Sequence, residues 1–304
     1  MLNQPVQVAR ILRATWWLAA AVSLAVCTLA VADQKILYEK QSPYTTIVVT
    51  EDDSGLRTLY FEKNGVRQSV VKVGDPDHIE LPYARSMMAA LALSEQRERV
   101  LIVGLGGGTI PMFLHKHYPK MVIDVVDIDP DVVAVAKQFF GFQEDQTLRA
   151  HVADGRKFIE QCRQPYDIIF LDAFGSDNIP YHLATKEFLQ AVRKAVKPTG
   201  VVAGNVWSRA ANPLYDSMVR TYQEVFDDLY ILDVEYAGNK ILLALPRQQR
   251  ITRAQLAEKA EAISREGRFR FGLGALVTYG YQHARTKNQA GRVLLDRDNP
   301  SSKQ

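Results

Sequence analysis

Residues 100–111 have the sequence VLIVGLGGGTIP, which is the most informative stretch of the chain. The apolar run from Val100 to Val103 is typical of a buried strand, the glycines can form a tight turn, and the residues after them can start a helix. Several positions in such a loop need a positive φ, and a β-carbon there would keep the backbone away from a ligand. The stretch therefore predicts a strand, a glycine-rich loop and a helix.

A second informative stretch, VIDVVDIDPDVV at residues 122–133, predicts the next strand, which ends in Asp127. An acidic side chain at the end of the second strand of such a unit can accept hydrogen bonds from both hydroxyls of a ribose. The glycine loop together with Asp127 predicts a nucleoside site, and the pair is a much stronger signal than the glycines alone.

Strands and helices alternate from the glycine loop to about residue 245. This pattern predicts an α/β fold with a doubly wound, Rossmann-like, mostly parallel sheet. The runs TTIVVTE, RTLYFEK and RQSVVKV, with Asn64-Gly65 in the last gap, predict a small N-terminal antiparallel β cap of about three strands. We therefore expect a cap at 33–75, a Rossmann-like ligand-binding catalytic domain at 76–250, and at 251–304 a helical extension whose tail is mobile from Arg285.

The first 32 residues differ in kind from the rest of the chain. Arg10 and Arg13 precede an apolar segment, residues 14–31, that ends in small residues, as in a secretory signal peptide. The segment is nearly long enough to span a bilayer, so an uncleaved signal anchor is the alternative. In both cases the protein is expected to be exported, and to be either periplasmic or anchored with its catalytic domain outside the cytoplasm. Membrane contact is expected only through residues 14–31.

Composition excludes some classes of partner. The net charge is +3 over 304 residues, with no basic stripe interleaved with aromatic residues, so nucleic acid is not an expected partner. After removal of the signal segment only Cys162 remains, so neither an intramolecular disulfide nor a cysteine-based metal site can form. No metal is expected.

Acidic residues recur where the predicted strands end: Asp127, Asp154 and Asp172. The carboxyl ends of parallel strands share one edge of the sheet, so these side chains are expected to lie close together. An unpaired charge at the end of an apolar strand costs several kcal/mol, which favours a ligand role for Asp127 and Asp172. Asp129 and Asp154 can equally well be helix N-caps.

Five blocks in order, VLIVGLGGGT, VVDIDPDVV, ADGRKFI, YDIIFLDAF and LATKEFL, resemble the spermidine synthase family of aminopropyltransferases, which has the class I methyltransferase fold. The resemblance covers about residues 40–250. It implies decarboxylated S-adenosylmethionine or S-adenosylmethionine as co-substrate, and a small-molecule amine such as putrescine as acceptor. The family often pairs its subunits, which allows a homodimer.

Carried over residue by residue, the resemblance implies that Asp172 is the catalytic carboxylate and that Tyr83 helps to position the amine. It implies that Asp127 holds the ribose and Asp154 the adenine amino group. The other residues expected at the donor are Gln68 at the sulfonium, Gly104, Gly106 and Gly108 around the methionine-like part, and Gly155. Asp177 and His182 are the candidates for the acceptor site, with a turn aspartate and a helix-entry histidine as the alternative interpretations.

The sequence departs from the family pattern in its glycine loop and in its acceptor loop. The family has an aspartate, which holds the amine of the decarboxylated donor, where this chain has Gly107. The family's acceptor loop has the pattern Asp-Ser-x-Asp-Pro; its first aspartate corresponds to Asp172, and its second is displaced by two positions in this chain, to Asp177. These departures favour an S-adenosylmethionine-dependent methyltransferase as an alternative to aminopropyl transfer. The signal segment favours a second alternative, an exported, non-catalytic protein that binds a nucleoside or a polyamine, because sulfonium donors are made in the cytoplasm.

Overall fold

The computed structural model describes residues 34–174 and 179–300, so the signal segment and Asp177 lie outside the described residues. The strands of the described part are β1 Lys35–Gln41, β2 Thr46–Glu51, β3 Leu56–Tyr60, β4 Arg67–Lys72, β5 Arg99–Val103, β6 Val122–Asp127, β7 Leu148–Val152, β8 Tyr166–Leu171, β9 Val196–Trp207, β10 Asp228–Asp233, β11 Asn239–Leu245 and β12 Tyr281–His283.

The α-helices of the described part are α1 Pro82–Met87, α2 Thr109–His117, α3 Pro130–Phe139, α4 Gly155–Glu160, α5 Lys186–Ala195, α6 Tyr215–Val225, α7 Arg253–Glu266 and α8 Leu273–Gly280. Three short 3-10 segments complete them, at Met88–Ala92, Tyr181–Leu183 and Asp296–Asp298. None of the described helices is both long enough and apolar enough to cross a membrane.

The central sheet has eight strands in the order β12-β10-β11-β9-β8-β5-β6-β7. Strands β5 to β9 pair in parallel, whereas β10, β11 and β12 are joined in antiparallel pairs. Alternate residues of β5 lie in two different apolar clusters: Val100 and Ile102 in one, Leu101 and Val103 in the other. Side chains alternate between the faces of a strand, so both faces of the sheet are covered. The α/β fold with a mostly parallel, doubly wound sheet is the one that the sequence predicts.

The N-terminal cap is a separate four-stranded antiparallel sheet, β1-β2-β3-β4. Asn64 has a φ of 61°, the left-handed conformation that its Asn-Gly turn predicts. Strand β1 is an addition to the expected three strands. Its sequence, KILYEKQ, is largely exposed along the edge of the sheet and lacks a clear apolar alternation, so its pairing with β2 supplies the order that its own pattern does not predict.

The C-terminal extension differs from the expected mobile tail. Leu294 is fully buried, and its backbone N–H donates to the Thr221 hydroxyl at 3.0 Å. Asp296 accepts two hydrogen bonds from Arg156, at 2.7 and 2.6 Å. This mainly polar segment is held against the sheet domain by the buried Leu294 and by the ion pairs Arg156–Asp296 and Lys287–Glu224.

Candidate active site

The glycine loop between β5 and α2 has the backbone conformations that its sequence predicts. Gly104, Gly106 and Gly108 have φ values of 101°, 53° and 81°, a region that L side chains rarely adopt. A β-carbon on Gly104 would lie 2.3 Å from the backbone oxygen of Asp172. The loop therefore needs glycine at position 104 so that the ends of β5 and β8 can lie side by side.

Asp127 lies at the end of β6, beside the glycine loop. Its carboxylate accepts the backbone N–H of Leu105 at 2.9 Å and that of Asp129 at 3.0 Å. Burial raises the pKa of Asp127 above its usual value, whereas these backbone donors oppose the rise. Leu105 and Asp129 donate to different carboxylate oxygens, and a carboxylate has further lone pairs that can accept a ligand hydroxyl. The geometry thus suits the expected ribose contact.

Asp154 combines two roles that the sequence leaves as alternatives. One carboxylate oxygen caps α4 by accepting the backbone N–H of Lys157 at 3.0 Å. The other lies 3.2 Å from Nε2 of His182. His182 therefore contacts the residue expected at the adenine, rather than Asp172. Gly155, next to it, allows α4 to approach β5, because a β-carbon there would lie 2.6 Å from the Val103 side chain.

Asp129, by contrast, is a structural residue. It is the N-cap of α3, accepting the backbone N–H of Asp131 at 2.9 Å, and its second oxygen accepts the hydroxyl proton of Ser42 from the cap sheet. Asp129 is 2% exposed. Its carboxylate ties the cap to the sheet domain and leaves little capacity for a ligand.

Asp172, at the end of β8, is the most strongly perturbed acid of the site. Its Oδ1 accepts the side-chain amide of Asn205 at 2.8 Å, and its Oδ2 accepts the Tyr83 hydroxyl at 3.3 Å. Burial raises the pKa of Asp172 to about 7, although both hydrogen bonds lower it. Burial and the neighbouring carboxylate also raise the pKa of Tyr83, so that the phenol stays a donor. A carboxylate with a pKa near neutrality is suited to accept a proton from a substrate.

Sequence reasoning missed Asn205 and Asn239. Asn205 lies in the otherwise apolar β9 and is 2% exposed, and its carbonyl oxygen accepts the side-chain amide of Asn239, which begins β11, at 2.9 Å. Because the Asn205 oxygen accepts this hydrogen bond, the NH2 group of the same side chain is oriented toward the Asp172 carboxylate, to which it donates. A lone amide within the run VVAGNVW is the signal that could have identified it, since a buried amide needs partners.

A cavity of about 430 Å³ joins these residues at the carboxyl edge of the sheet. It is lined by the glycine loop and by Gln68, Tyr83, Asp127, Asp154, Asp172 and His182. The Ser69 and Thr109 hydroxyls, 3.0 Å apart, join the cap to α2 at the loop. The cavity thus brings together Tyr83, Asp172 and the described candidates for the donor site, with the exception of Gly108, which packs against Phe142. Within the described residues no group of three or more His, Cys, Asp or Glu side chains could hold a metal ion.

Gly107 is enclosed rather than open. A β-carbon there would lie 2.9 Å from the Ser69 hydroxyl and 3.0 Å from the ring of Phe140. A carboxylate at this position would need both neighbours to move. The side chains of Ser69 and Phe140 therefore occupy the space that the family's aspartate would need at residue 107.

A family model and a curated relative both match this chain to the same family of proteins. Residues 81–231 match the family model of the spermine/spermidine synthase domain. A polyamine aminopropyltransferase of Vibrio vulnificus is 35% identical over 252 residues, covering 78% of this chain and 82% of that protein.

Solved structures with the same fold include two kinds of protein. The human methyltransferase-like protein 13, in complex with SAH, is 32% identical, with a TM-score of 0.57, over 64% of this chain and 95% of that one. A probable spermidine synthase of Corynebacterium glutamicum has a TM-score of 0.68 over 85% of this chain and 96% of that one, at 20% identity, which supports the fold alone.

Proposed function

The chain belongs to the spermine/spermidine synthase family, and from this premise we propose that it transfers the aminopropyl group of decarboxylated S-adenosylmethionine to a small amine. The observation that carries the proposal is the buried Asp172 with a pKa of about 7, held by Tyr83 and Asn205 at the wall of a nucleoside-sized cavity. Putrescine is the first amine to test as an acceptor.

The reaction that suits this site is a direct displacement at carbon. The amine nitrogen forms a bond to the carbon of the aminopropyl group that is attached to the sulfonium sulfur. The bond between that carbon and sulfur breaks, its electron pair moves to sulfur, and 5′-methylthioadenosine leaves. Free amines have a pKa near 10 and are mostly protonated at neutral pH. Asp172 accepts the proton that the amine must lose, and Tyr83 and Asn205 keep the carboxylate oriented toward it. Most of the remaining rate gain comes from alignment of the two substrates.

Residues of this chain divide the binding of the donor between them. Asp127 would accept the ribose hydroxyls, and Asp154, fixed by α4 and His182, would lie at the adenine. The backbone of the glycine loop would lie along the chain attached to sulfur. Gln68 and Tyr83 would border the sulfonium carbon, where the donor and the acceptor meet.

Methyl transfer from S-adenosylmethionine is the second candidate, and Gly107 is the observation that favours it. The enclosed glycine leaves no room for a carboxylate that would select the free amine end of the decarboxylated donor. The first turn of α2 has no acidic residue, and its N-cap, Gly108, has no side chain to accept a backbone N–H of that turn. Backbone N–H groups left without such an acceptor favour a carboxylate. The similarity to a human methyltransferase-like protein points the same way.

Calorimetric titration of the full chain with each donor separates the two candidates. Aminopropyl transfer predicts that the decarboxylated donor binds more tightly than S-adenosylmethionine, and that 5′-methylthioadenosine forms when an amine is added. Tighter binding of S-adenosylmethionine, with methylated product, would establish the second candidate instead. Turnover of either kind would exclude the non-catalytic alternative.

We also propose that residues 1–32 direct export of the protein. Arg10, Arg13 and the apolar segment 14–31 support this proposal. Cell fractionation of the full chain with a C-terminal epitope tests it: the epitope is expected in the periplasm after cleavage, or in the membrane fraction and open to external protease if the segment stays as an anchor. An intact, protease-protected epitope in the cytoplasm would contradict export.

A further inference from the structure

The cavity of about 430 Å³ that contains the donor-site candidates is called the donor cavity here, and a second cavity, the chamber, lies beside it across Tyr83. This chamber has a volume of about 210 Å³, and it shares Gln68, Tyr83 and Phe174 with the donor cavity. Asn205 lines the chamber and donates to Asp172, which lines the donor cavity. An amine held next to Asp172 can therefore extend its tail into the chamber while its nitrogen faces the donor.

Aromatic side chains form much of the chamber wall. The rings of Phe174 and Trp207 lie edge to face, with centroids 6.1 Å apart. Gly238 lies against the Trp207 ring, where a β-carbon would be 3.3 Å from two ring carbons, so the β10–β11 turn packs closely on the indole. Tyr236, at the tip of that turn, has a φ of 55° and is 96% exposed. A non-glycine residue held in this conformation at a cavity mouth is a feature often associated with function.

The charge of the chamber differs from what a diamine requires. Its described lining contains no carboxylate, and its only charged side chain is Arg67, for which the described residues provide no ion pair. Moving an ammonium group from water into the chamber costs solvation free energy, and no carboxylate of the described lining compensates for that cost. Arg67 would add repulsion between like charges, which opposes the modest attraction of an ammonium for the aromatic faces.

We infer that the chamber selects an acceptor with one amine and an apolar or aromatic tail, in preference to a diamine. This inference rests on the proposed function, since the reacting nitrogen is the one that Asp172 deprotonates. The tail lies against Trp207 and Phe174, and the rest of the reaction is unchanged: the nitrogen–carbon bond forms, the carbon–sulfur bond breaks, and the amine proton passes to Asp172. A cavity of roughly 150 Å³ can hold a benzene ring, so a phenyl group fits the available space.

Three amines test the inference on the full chain. Putrescine and n-butylamine share a four-carbon chain and differ in one terminal ammonium group, while 2-phenylethylamine adds an aromatic ring. Each amine is titrated calorimetrically in the presence of 5′-methylthioadenosine, and kcat/KM is measured separately with the decarboxylated donor. We expect n-butylamine and 2-phenylethylamine to exceed putrescine by roughly tenfold or more in both measurements.

Two variants identify the groups responsible. Arg67→Glu, at an exposed position, should move the preference toward putrescine by roughly threefold or more, whereas Arg163→Glu, at an exposed position before β8, should leave it unchanged. Trp207→Ala should weaken 2-phenylethylamine more than n-butylamine and leave donor affinity unchanged.

Equal or tighter binding of putrescine, or no binding of any amine, would overturn the inference. Selective binding of the monoamines without 5′-methylthioadenosine formation would instead contradict the proposed function and leave the chamber's selectivity established.

Discussion

Asp172 is the residue on which the proposed chemistry of this site depends. Its carboxylate is buried yet retains two hydrogen-bond donors, Asn205 and Tyr83, so its pKa of about 7 is a balance between desolvation and these donors. At neutral pH a large fraction of the protein therefore has the charged form needed to accept a proton. Because the charged form is costly to bury, the same residue links catalysis to stability.

Replacement of Asp172 by Asn tests its role in turnover. The amide can keep both neighbours but cannot accept the amine proton, so turnover should fall by about 100-fold or more while donor affinity stays within a few-fold. In the wild-type protein kcat/KM should rise as pH increases through about 7, where Asp172 loses its proton, and this inflection should be absent from the variant. Unchanged turnover in Asp172→Asn would remove the residue from the mechanism.

The raised pKa of Asp172 also predicts a stability effect with a definite sign. Between about pH 4 and pH 7 the folded protein keeps a proton that the unfolded chain has lost, so the free energy of unfolding falls as pH rises across this window. At about pH 8 the Asp172→Asn variant should be more stable than the wild type by an amount on the order of 1 kcal/mol or more. Urea unfolding at both ends of the window measures the difference, which should vanish near pH 4.

Asn205 is predicted to act through Asp172 as a positioning residue. The hydrogen bond from its side-chain amide lowers the pKa of the Asp172 carboxylate. Asn205→Ala should therefore move the inflection in kcat/KM to higher pH. Asn239→Ala, which only frees the orientation of Asn205, should move it less. A loss of activity with no shift in the inflection would mean that Asn205 supports the local packing alone.

At the scale of elements, the site depends on how closely β5, β8 and the glycine loop approach one another. Gly104 permits the contact with Asp172, Gly155 brings α4 onto β5, and the cap reaches the loop through Ser69 and Thr109. The carboxyl edge of the parallel sheet thus gathers residues that are far apart in sequence. We therefore expect a substitution that disturbs any one of these close contacts to change the shape of the donor cavity as a whole.

Gly104→Ala tests the close approach, with Gly74→Ala as its control. Both glycines have a positive φ, of 101° and 81°, but only Gly104 has backbone within reach of a new β-carbon. The control should lose about 1–2 kcal/mol of stability from backbone strain alone. Gly104→Ala should lose about 1–3 kcal/mol more and should also bind the donor weakly, as measured by urea unfolding and calorimetry. Equal losses in the two variants would show that φ alone makes Gly104 necessary.

The elements around the donor were predictable because their signals are local. The strand, glycine loop and Asp127 follow one another within 28 residues, from 100 to 127, and apolar periodicity outlines the parallel strands. Asn205 was not predictable in the same way, since its role arises only when β9 lies beside β8. The chamber is a further case: Trp207, Phe174 and Arg67 come from distant segments, and only the folded chain places them around one space.

At the scale of the whole molecule, the C-terminal segment braces the nucleoside side of the site. Arg156 of α4 binds Asp296 through two bonds and lies 3.4 Å from the backbone oxygen of His182, while the Lys186 backbone N–H donates to Leu294 at 2.8 Å. The tail thus joins α4, α5 and the 3-10 segment that carries His182. The mainly polar sequence of the tail did not predict this packing, because Leu294 is the one fully buried apolar side chain among its described residues.

Leu294→Ala measures the contribution of this brace. Removal of a fully buried leucine side chain should lower the free energy of unfolding by about 2–5 kcal/mol. Tyr279→Ala, at a side chain that is 57% exposed, should change it by no more than about 0.5 kcal/mol. A similarly small effect in urea unfolding of Leu294→Ala would show that the tail packs without stabilising the fold.

Product analysis by mass spectrometry tests whether this protein transfers an aminopropyl group with Asp172 as the base. The full chain and its Asp172→Asn variant are each incubated with an amine and either decarboxylated S-adenosylmethionine or S-adenosylmethionine. We expect 5′-methylthioadenosine and an aminopropylated amine, in equal amounts, from the decarboxylated donor and the wild-type protein, with at least about 100-fold less of both from the variant. Methylated amine from S-adenosylmethionine, with no product from the decarboxylated donor, would contradict aminopropyl transfer.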